Sequence, residues 1–370
     1  TTESYTYDPV GNRLSSSGVP NYNYNVSNEL TSDSSGGFTY DANGNTLTDS
    51  SGKSYTWDFE NRLMQAVVPG TNGGTTTFKY DPFGRRIEKI SPTAASIFVY
   101  DGVNLIETVN GSGGEVASYT QMQNIDETLA ELRGSTTDYY QPDGLGSITS
   151  LSGSSGTLAN TYTYDSFGNL TTSAGTVRNY FQYTGREFDP ETGIYEYRAR
   201  YYDPVSGRFI SEDPTRFRTG INFYKYASND PLLFRDPSGL DCSCTYSIST
   251  GHFHCSGLST SGGPISFDSS GYSGLPEYQN DPALTFLWGG PIPMGTYTIS
   301  PGYKGTRGNP QFNLTPAPGI IPPGRDPNSF LVHADNPSHP GWSSEGCIVL
   351  PLNGRQQLDR CGSGTLSVTQ

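Results

Sequence analysis

An aromatic residue followed by an aspartate turn recurs along the first part of the chain, and no other feature restricts the fold as strongly. YDPVGNRL begins at Tyr7, YDANGNTL at Tyr40, YDPFGRRI at Tyr80 and YDSFGNLT at Tyr164, with YNVSNEL at Tyr24 and WDFENRL at Trp57 as variants. The aromatic starts at 7, 24, 40, 57, 80 and 100 are spaced by 17, 16, 17, 23 and 20 residues. A unit of roughly 17 to 20 residues holds two short strands and their turns. The spacing therefore predicts hairpins in tandem, turning at Asp-x-x-Gly-Asn or Asn-Glu, with the Tyr or Trp packed on one face and the next Leu on the other. Units of this kind bury surface only against their neighbours and build an extended, curling sheet. With 45 Gly, 26 Pro and 12% aromatic residues, the chain has the composition of a β-rich, turn-rich protein and not of a disordered one. Its longest apolar stretches, Phe330 to Ala334 and Cys347 to Leu352, fall well short of the roughly 20 residues of a transmembrane helix.

Residue usage changes after position 240. All five Cys and all four His lie beyond it, and the first 240 residues carry 17 Lys and Arg against 28 Asp and Glu, compared with 5 against 8 in the remainder. Two domains follow, 1–240 and 241–370. The net charge of -14 speaks against a nucleic-acid partner, because such binding draws on Lys and Arg at phosphates. The chain opens TTESYTYDPV, with neither Met nor a charged and then apolar leader, as a mature form or a piece of a longer protein does.

The YDxxGN units resemble the YD repeats of Rhs proteins, polymorphic-toxin carriers whose repeats wind a β shell around a C-terminal effector. GREFDPETGIYEYRARYYDPVSGRFISEDP, Gly185 to Pro214, is similar to the Rhs core-associated motif, which runs on through NFYKYASNDPLLFRDPSGL to Leu240. The resemblance covers nearly all of residues 1–240, and implies a segment of a longer shell. It also implies that the chain cuts itself between Leu240 and Asp241, using Asp213 and Asp236 as an acid–base pair. The rival explanation for both aspartates is that Asp-Pro pairs simply start turns.

Residues 241–370 read as a compact, β-rich domain of short strands separated by Gly, Pro and Asn, with a helical turn or two at LNGRQQLDR. Within FLVHADNPSHPGWSSEGCIVLP, His333 lies on one strand and Cys347 opens another, fourteen residues on. A nucleophilic thiol needs a base or a cation nearby, and a His across a hairpin supplies one. Gly346 allows close backbone approach, so the Gly346 and Cys347 amides can face a developing oxyanion. Against this stands the buried structural Cys and the lone structural His.

His-x-Asp followed by Ser-x-Gly-Cys-Ile resembles the YkuD-type L,D-transpeptidase motif. The order TYSISTG, GYSG with NDPA, GGPIPMGTYTI, FLVHAD and SSEGCIVLP is similar to an L,D-transpeptidase-related effector family delivered by type VI secretion. The resemblance implies a secreted toxin acting in a target cell's periplasm on peptidoglycan stem peptides. It would use no cofactor or metal, and its further partners would be an immunity protein and secretion machinery, without nucleic acid or membrane insertion. Cys347 would form a thioester resolved by water or a D-amino acid, with His333 as base and then acid. Asp335 and Ser344 would orient the site, and Tyr272, Ser273 and Arg325 would line the substrate cleft. Ala334 stands where that family has Gly, and Val349 where it often has Arg.

With Cys347 free, Cys242, Cys244, Cys255 and Cys361 can form two disulfides in three connectivities, as suits an oxidising compartment. The competing arrangement is a zinc site built from Cys242, Cys244, His252, His254 and Cys255. Two other functions compete with the enzyme: a structural or adhesive repeat protein whose last domain only binds cell wall or a partner, and a cysteine peptidase or amidase acting on proteins.

Overall fold

A computed structural model describes residues 3–370 apart from 18, 123–125, 215–220, 233–234, 237–238, 240–241, 259–263, 286, 288, 302–309, 317–319, 323–324, 327–328, 336–343, 345 and 362–363. The chain is mainly β, and it divides into two compact units, Thr1–Leu240 and Asp241–Gln370.

Local backbone chemistry makes the repeats of the first unit. At these turns the aspartate Oδ1 accepts from the amides two and four residues on, as Asp8 does from Val10 and Asn12, Asp41 from Asn43 and Asn45, and Asp81 from Phe83 and Arg85, and Asn25 does the same after Tyr24. The next-to-last turn position has positive φ and is filled by Gly11, Gly44, Gly84 and Gly168, or by Asn28 and Asn61. From Thr39–Tyr40 to Leu170–Ala174 the strands then follow one another as a 14-stranded meander in strict sequence order. Two short hairpins precede it, Tyr5–Tyr7 with Arg13–Ser16 and Asn23–Tyr24 with Leu30–Ser32.

The repeat is tied together at a position six residues beyond each aromatic. Arg13, Leu30, Thr46, Leu63 and Arg86 occupy it, and all are buried. Their carbonyls accept from the aromatic of the following repeat: Tyr24 to Arg13, Tyr40 to Leu30, the Trp57 indole to Thr46, Tyr80 to Leu63 and Tyr100 to Arg86, at 2.7 to 3.0 Å. The "next Leu" rule of the sequence holds for Leu30 and Leu63, but Leu14 and Leu47 lie seven residues on and point to solvent, at 42% and 36% exposure.

The core-associated segment forms a four-stranded sheet of Glu187–Asp189, Ile194–Tyr197, Arg200–Asp203 and Arg208–Phe209. Although rich in charge, it is buried: Ile194, Tyr201 and Ile210 pack with Tyr55, Leu63 and Phe78 of the repeats. Tyr195, Tyr197, Tyr202, Phe209 and Tyr226 cluster with Phe167 and Tyr183. Its charges meet buried partners on the meander, Arg86 with Glu187 (2.8 Å) and Asp189, Lys89 with Asp189 (2.8 Å) and Glu191 (2.9 Å). Arg186 joins Asp126 (2.6 Å) and Glu196 (2.7 Å).

The second unit is a nine-stranded sheet. Its order is Pro264–Ser270, His252–Leu258, Cys242–Ser247, Gly364–Thr369, Gly295–Pro301, Phe312–Pro316, Leu331–His333, Ile348–Val349 and Tyr272–Ser273. The two edge strands, Pro264–Ser270 and Tyr272–Ser273, are separated in sequence only by Gly271, so the sheet curls round on itself. Tyr246, Phe253, Tyr297, Phe312, Val332, Ile348 and Leu366 fill its core. The helix Leu352–Cys361 is longer than the turn or two foreseen. Cys244 and Cys255 are directly opposed on paired strands and disulfide-linked, and Cys361 is also disulfide-bonded. The zinc arrangement therefore loses Cys244 and Cys255, which are oxidised; His252 and His254 both bond Asp268 instead, at 3.0 and 2.9 Å.

Candidate functional site

Cys347 is the free cysteine among the described residues. It stands where the chain re-enters the sheet beside the His333 strand. Leu331–His333 runs parallel to Ile348–Val349, pairing Val332 with Ile348 and His333 with Val349. Val332 and Ile348 point into the core, so strand alternation places the Cys347 and His333 positions together on the opposite side; both are partly exposed.

The turn that presents the thiol is pinned by Ser344. Its buried hydroxyl donates to the Cys347 carbonyl (2.6 Å) and accepts from the Gly274 amide (3.0 Å) and the Gly346 amide (3.2 Å). The Gly346 N–H, expected at an oxyanion, is thus spent on Ser344. The Cys347 thiol donates to the Ser329 carbonyl at 3.4 Å.

His333 Nδ1 lies 2.7 Å from the Ala334 carbonyl. A carbonyl only accepts, so Nδ1 carries the proton and the neutral ring keeps Nε2 as its base. Burial pushes the imidazole below its ordinary range, with the Ala334 carbonyl and Asp335 opposing and Arg355 reinforcing the shift. Asp335 accepts from the Tyr272 hydroxyl at 2.6 Å. Both line a cleft of about 390 Å3 together with Ala334, Val349, Leu350 and Arg355. Ser273 is structural, its hydroxyl accepting from the Ile292 amide at 2.8 Å. Arg325, expected to meet substrate, directs its guanidinium to the carbonyls of Thr285 (2.6 Å), Pro291 (2.7 Å) and Gly290 (3.3 Å).

A second constellation closes the first unit. Asp213 and Asp236 are both buried, and one guanidinium nitrogen of Arg200 lies 3.3 Å from Asp213 and 3.4 Å from Asp236. The same arginine donates through Nε to the Gly239 carbonyl and through Nη1 to the Phe223 carbonyl, and stacks on Phe209. The Gly239 amide closes a turn on the Asp236 carbonyl. The sequence singled out both aspartates but not the Arg200 that lies between them; an arginine set in an aromatic run, RARYYD, was the available signal. Leu240 and Asp241, expected to flank a cut, lie outside the described residues.

Residues 1–232 match the family model described as the teneurin YD-shell. The chain is 33% identical over 257 residues to a protein of Bacillus spizizenii named as the tRNA3(Ser)-specific nuclease WapA, covering 65% of this chain and 11% of that one. It is 28% identical over 219 residues to double-stranded DNA deaminase toxin A of Burkholderia cenocepacia, covering 50% of this chain and 15% of that one. The fold matches a chain of the Photorhabdus luminescens Tc holotoxin pore with a TM-score of 0.52 and 24% identity, over 64% of this chain and 13% of that one.

These findings correct three expectations. The chain was expected to act on peptidoglycan stem peptides, as a cysteine L,D-carboxypeptidase or transpeptidase, with no nucleic-acid partner; its relatives are named as acting on tRNA and DNA. Overall charge misled because most of the acidic excess belongs to residues 1–240, and a net charge says nothing about a local site. Among the described residues, no helix is long and apolar enough to cross a membrane.

Proposed function

The chain belongs to the teneurin YD-shell family through residues 1–232, and on that premise we propose that it is the effector-bearing end of a secreted Rhs-type toxin. In this reading the first unit ends a shell that severs itself after Leu240, and residues 241–370 are the effector set free in a target cell. The observation that carries the reading is the Arg200 centre. It gathers two buried carboxylates beside the Gly239 carbonyl, one residue before the proposed cut. One carboxylate would take a proton from water as it attacks the Leu240 carbonyl, and the other would hand a proton to the leaving Asp241 amine.

Gly239 supports the same reading. A Cβ there would lie 2.1 Å from the Tyr197 carbonyl, so Gly239→Ala must displace the segment entering the cut. A displacement of about 1 Å costs on the order of 100-fold in rate, and the slowed release is measurable as uncut chain on a denaturing gel.

For the effector, the relatives' names favour nucleic acid as the target class, and Cys347 and His333 are its reactive groups. Wild-type chain incubated with tRNA and with double-stranded DNA is expected to cut or deaminate one of them, read by gel and by nucleoside mass spectrometry. His333→Gln should slow the conversion by roughly 100-fold or more, the usual contribution of a positioned acid–base group. Intact tRNA and DNA with wild-type protein would remove the target class; conversion that survives both His333→Gln and Cys347→Ala would remove the site.

A further inference from the structure

We infer that the first unit binds one small inorganic anion, chloride, in a cavity lined by Arg13, Arg208 and Lys225, where it joins the first repeats to the last strand of the core-associated segment. The other buried arginines of this unit meet carboxylates: Arg86 has Glu187 and Asp189, Arg186 has Asp126 and Glu196, and Arg200 has Asp213 and Asp236. Arg13 and Arg208 are enclosed too, at 7% and 8% exposure, yet no carboxylate among the described residues stands within ion-pair distance of either. Each keeps a buried Nε without an acceptor among those residues. Guanidinium groups stay charged at any working pH, so burial here sets two positive charges in need of a counter-charge.

The backbone brings a third cation to the same place. Arg208 and Lys225 are directly opposed in an antiparallel β-bridge, an arrangement in which like charges repel. The Arg13 guanidinium packs on Gly207, the residue before Arg208: Gly207 has φ +68°, and a Cβ on it would overlap Arg13 Nη2. Arg208 faces the rings of Tyr24 and Tyr224, 5.1 and 4.7 Å from their centres, and the Tyr24 hydroxyl donates to the Arg13 carbonyl. Ring faces attract a cation but carry no net charge. Tyr7 and Tyr202 act on Arg13 as well, and burial keeps both hydroxyls protonated. Asp165 acts on it from beyond contact while accepting the Phe167 and Asn169 amides of its own turn. The three cations line one cavity of about 20 Å3 together with Asn12, Ser206 and Asn222, and no lining residue is acidic in a chain of 36 Asp and Glu against 22 Lys and Arg. A water-sized occupant needs roughly 10–15 Å3, so the cavity suits a single-atom anion and not phosphate. Water would leave all three charges uncompensated; an anion offsets one and gives the rest an acceptor.

Hydrogen exchange of the full chain, read by peptide mass spectrometry in sodium chloride and in sodium gluconate, tests the inference. Gluconate is too large for the cavity, and equal ionic strength keeps general screening the same. Amides of residues 8–16 and 203–210 should exchange more slowly in chloride, by one plus the ratio of chloride concentration to Kd, or about tenfold at ten times Kd. Those of residues 104–121 should exchange alike in both salts. Lys225→Met keeps a stem beside Gly11 and removes the charge. It should weaken the apparent chloride affinity at least about tenfold, the effect of one lost charge at contact distance, and should slow exchange in gluconate, where the opposed like charges no longer repel. Equal wild-type exchange in the two salts overturns the inference without recourse to any variant. Slowing spread evenly along the chain overturns it as well, since that marks an adventitious ion only, and so does a chloride response that Lys225→Met leaves unchanged.

Discussion

Replacing Arg86 by Met should destabilise the first unit by about 3–5 kcal/mol, the cost of stranding buried charges once their partner is removed. Arg86 is wholly buried between Glu187 and Asp189, and Asp189 keeps Lys89 as a second partner. The uncompensated charge in the variant is therefore mainly that of Glu187. Adding Glu187→Gln should recover more than about 1 kcal/mol, since residues in one charge network do not add independently. Urea unfolding, followed by a probe confined to residues 1–240, measures both changes. The wild-type network should also weaken in acid. Burial opposes the charge on Asp189, but Arg86 and Lys89 outweigh it and hold the carboxyl below its ordinary value of 3.8. A folded-state value below the unfolded one contributes stability at neutral pH that is lost as pH falls through the folded value. Acid unfolding should therefore begin below about pH 4 at this site. An Arg86→Met variant as stable as wild type would show that the core-associated sheet is held by its aromatics alone.

Asp213→Asn and Asp236→Asn should each leave the chain uncut, slowing release by roughly 100- to 10,000-fold, the range of a lost acid–base partner. Both side chains are buried against Arg200, and asparagine keeps their shape while removing charge and proton exchange. The double variant should be little slower than either single one, because groups that act as a unit are not additive. Time courses of newly synthesised chain on denaturing gels give these rates. Normal release in either single variant would return both Asp-Pro pairs to the role of turn formers.

The repeats were legible because their chemistry is local. A Tyr, an Asp and a Gly or Asn a few residues apart fix one hairpin without help from the rest of the chain, and the boundary after position 240 showed in Cys and His usage. What lay hidden depends on distant partners. Arg86, in YDPFGRRI, is a surface residue to any local rule, and only its meeting with Glu187 and Asp189 more than a hundred residues on explains its burial. The same holds for Arg200, whose role exists only once Asp213, Asp236 and Gly239 converge on it.

In the second unit the His333 strand and the strand after Cys347 are neighbours but run parallel, not as the hairpin that their spacing suggested, because the chain between them crosses over before it re-enters the sheet. Ser344 and Arg325 took roles set by close packing and not by motif: one binds the turn's own amides and carbonyl, the other packs on Gly346. The target class was misjudged for a different reason. It was read from the total charge of the chain, most of whose acidic excess lies in residues 1–240.

Intact mass of the purified wild-type chain under denaturing conditions, with N-terminal sequencing of the products, tests the central claim most directly. Cleavage predicts two polypeptides, residues 1–240 and a fragment whose first residue is Asp241, and a single 40.0 kDa species from Asp236→Asn. A wild-type chain that remains one 40.0 kDa polypeptide after prolonged incubation would contradict it.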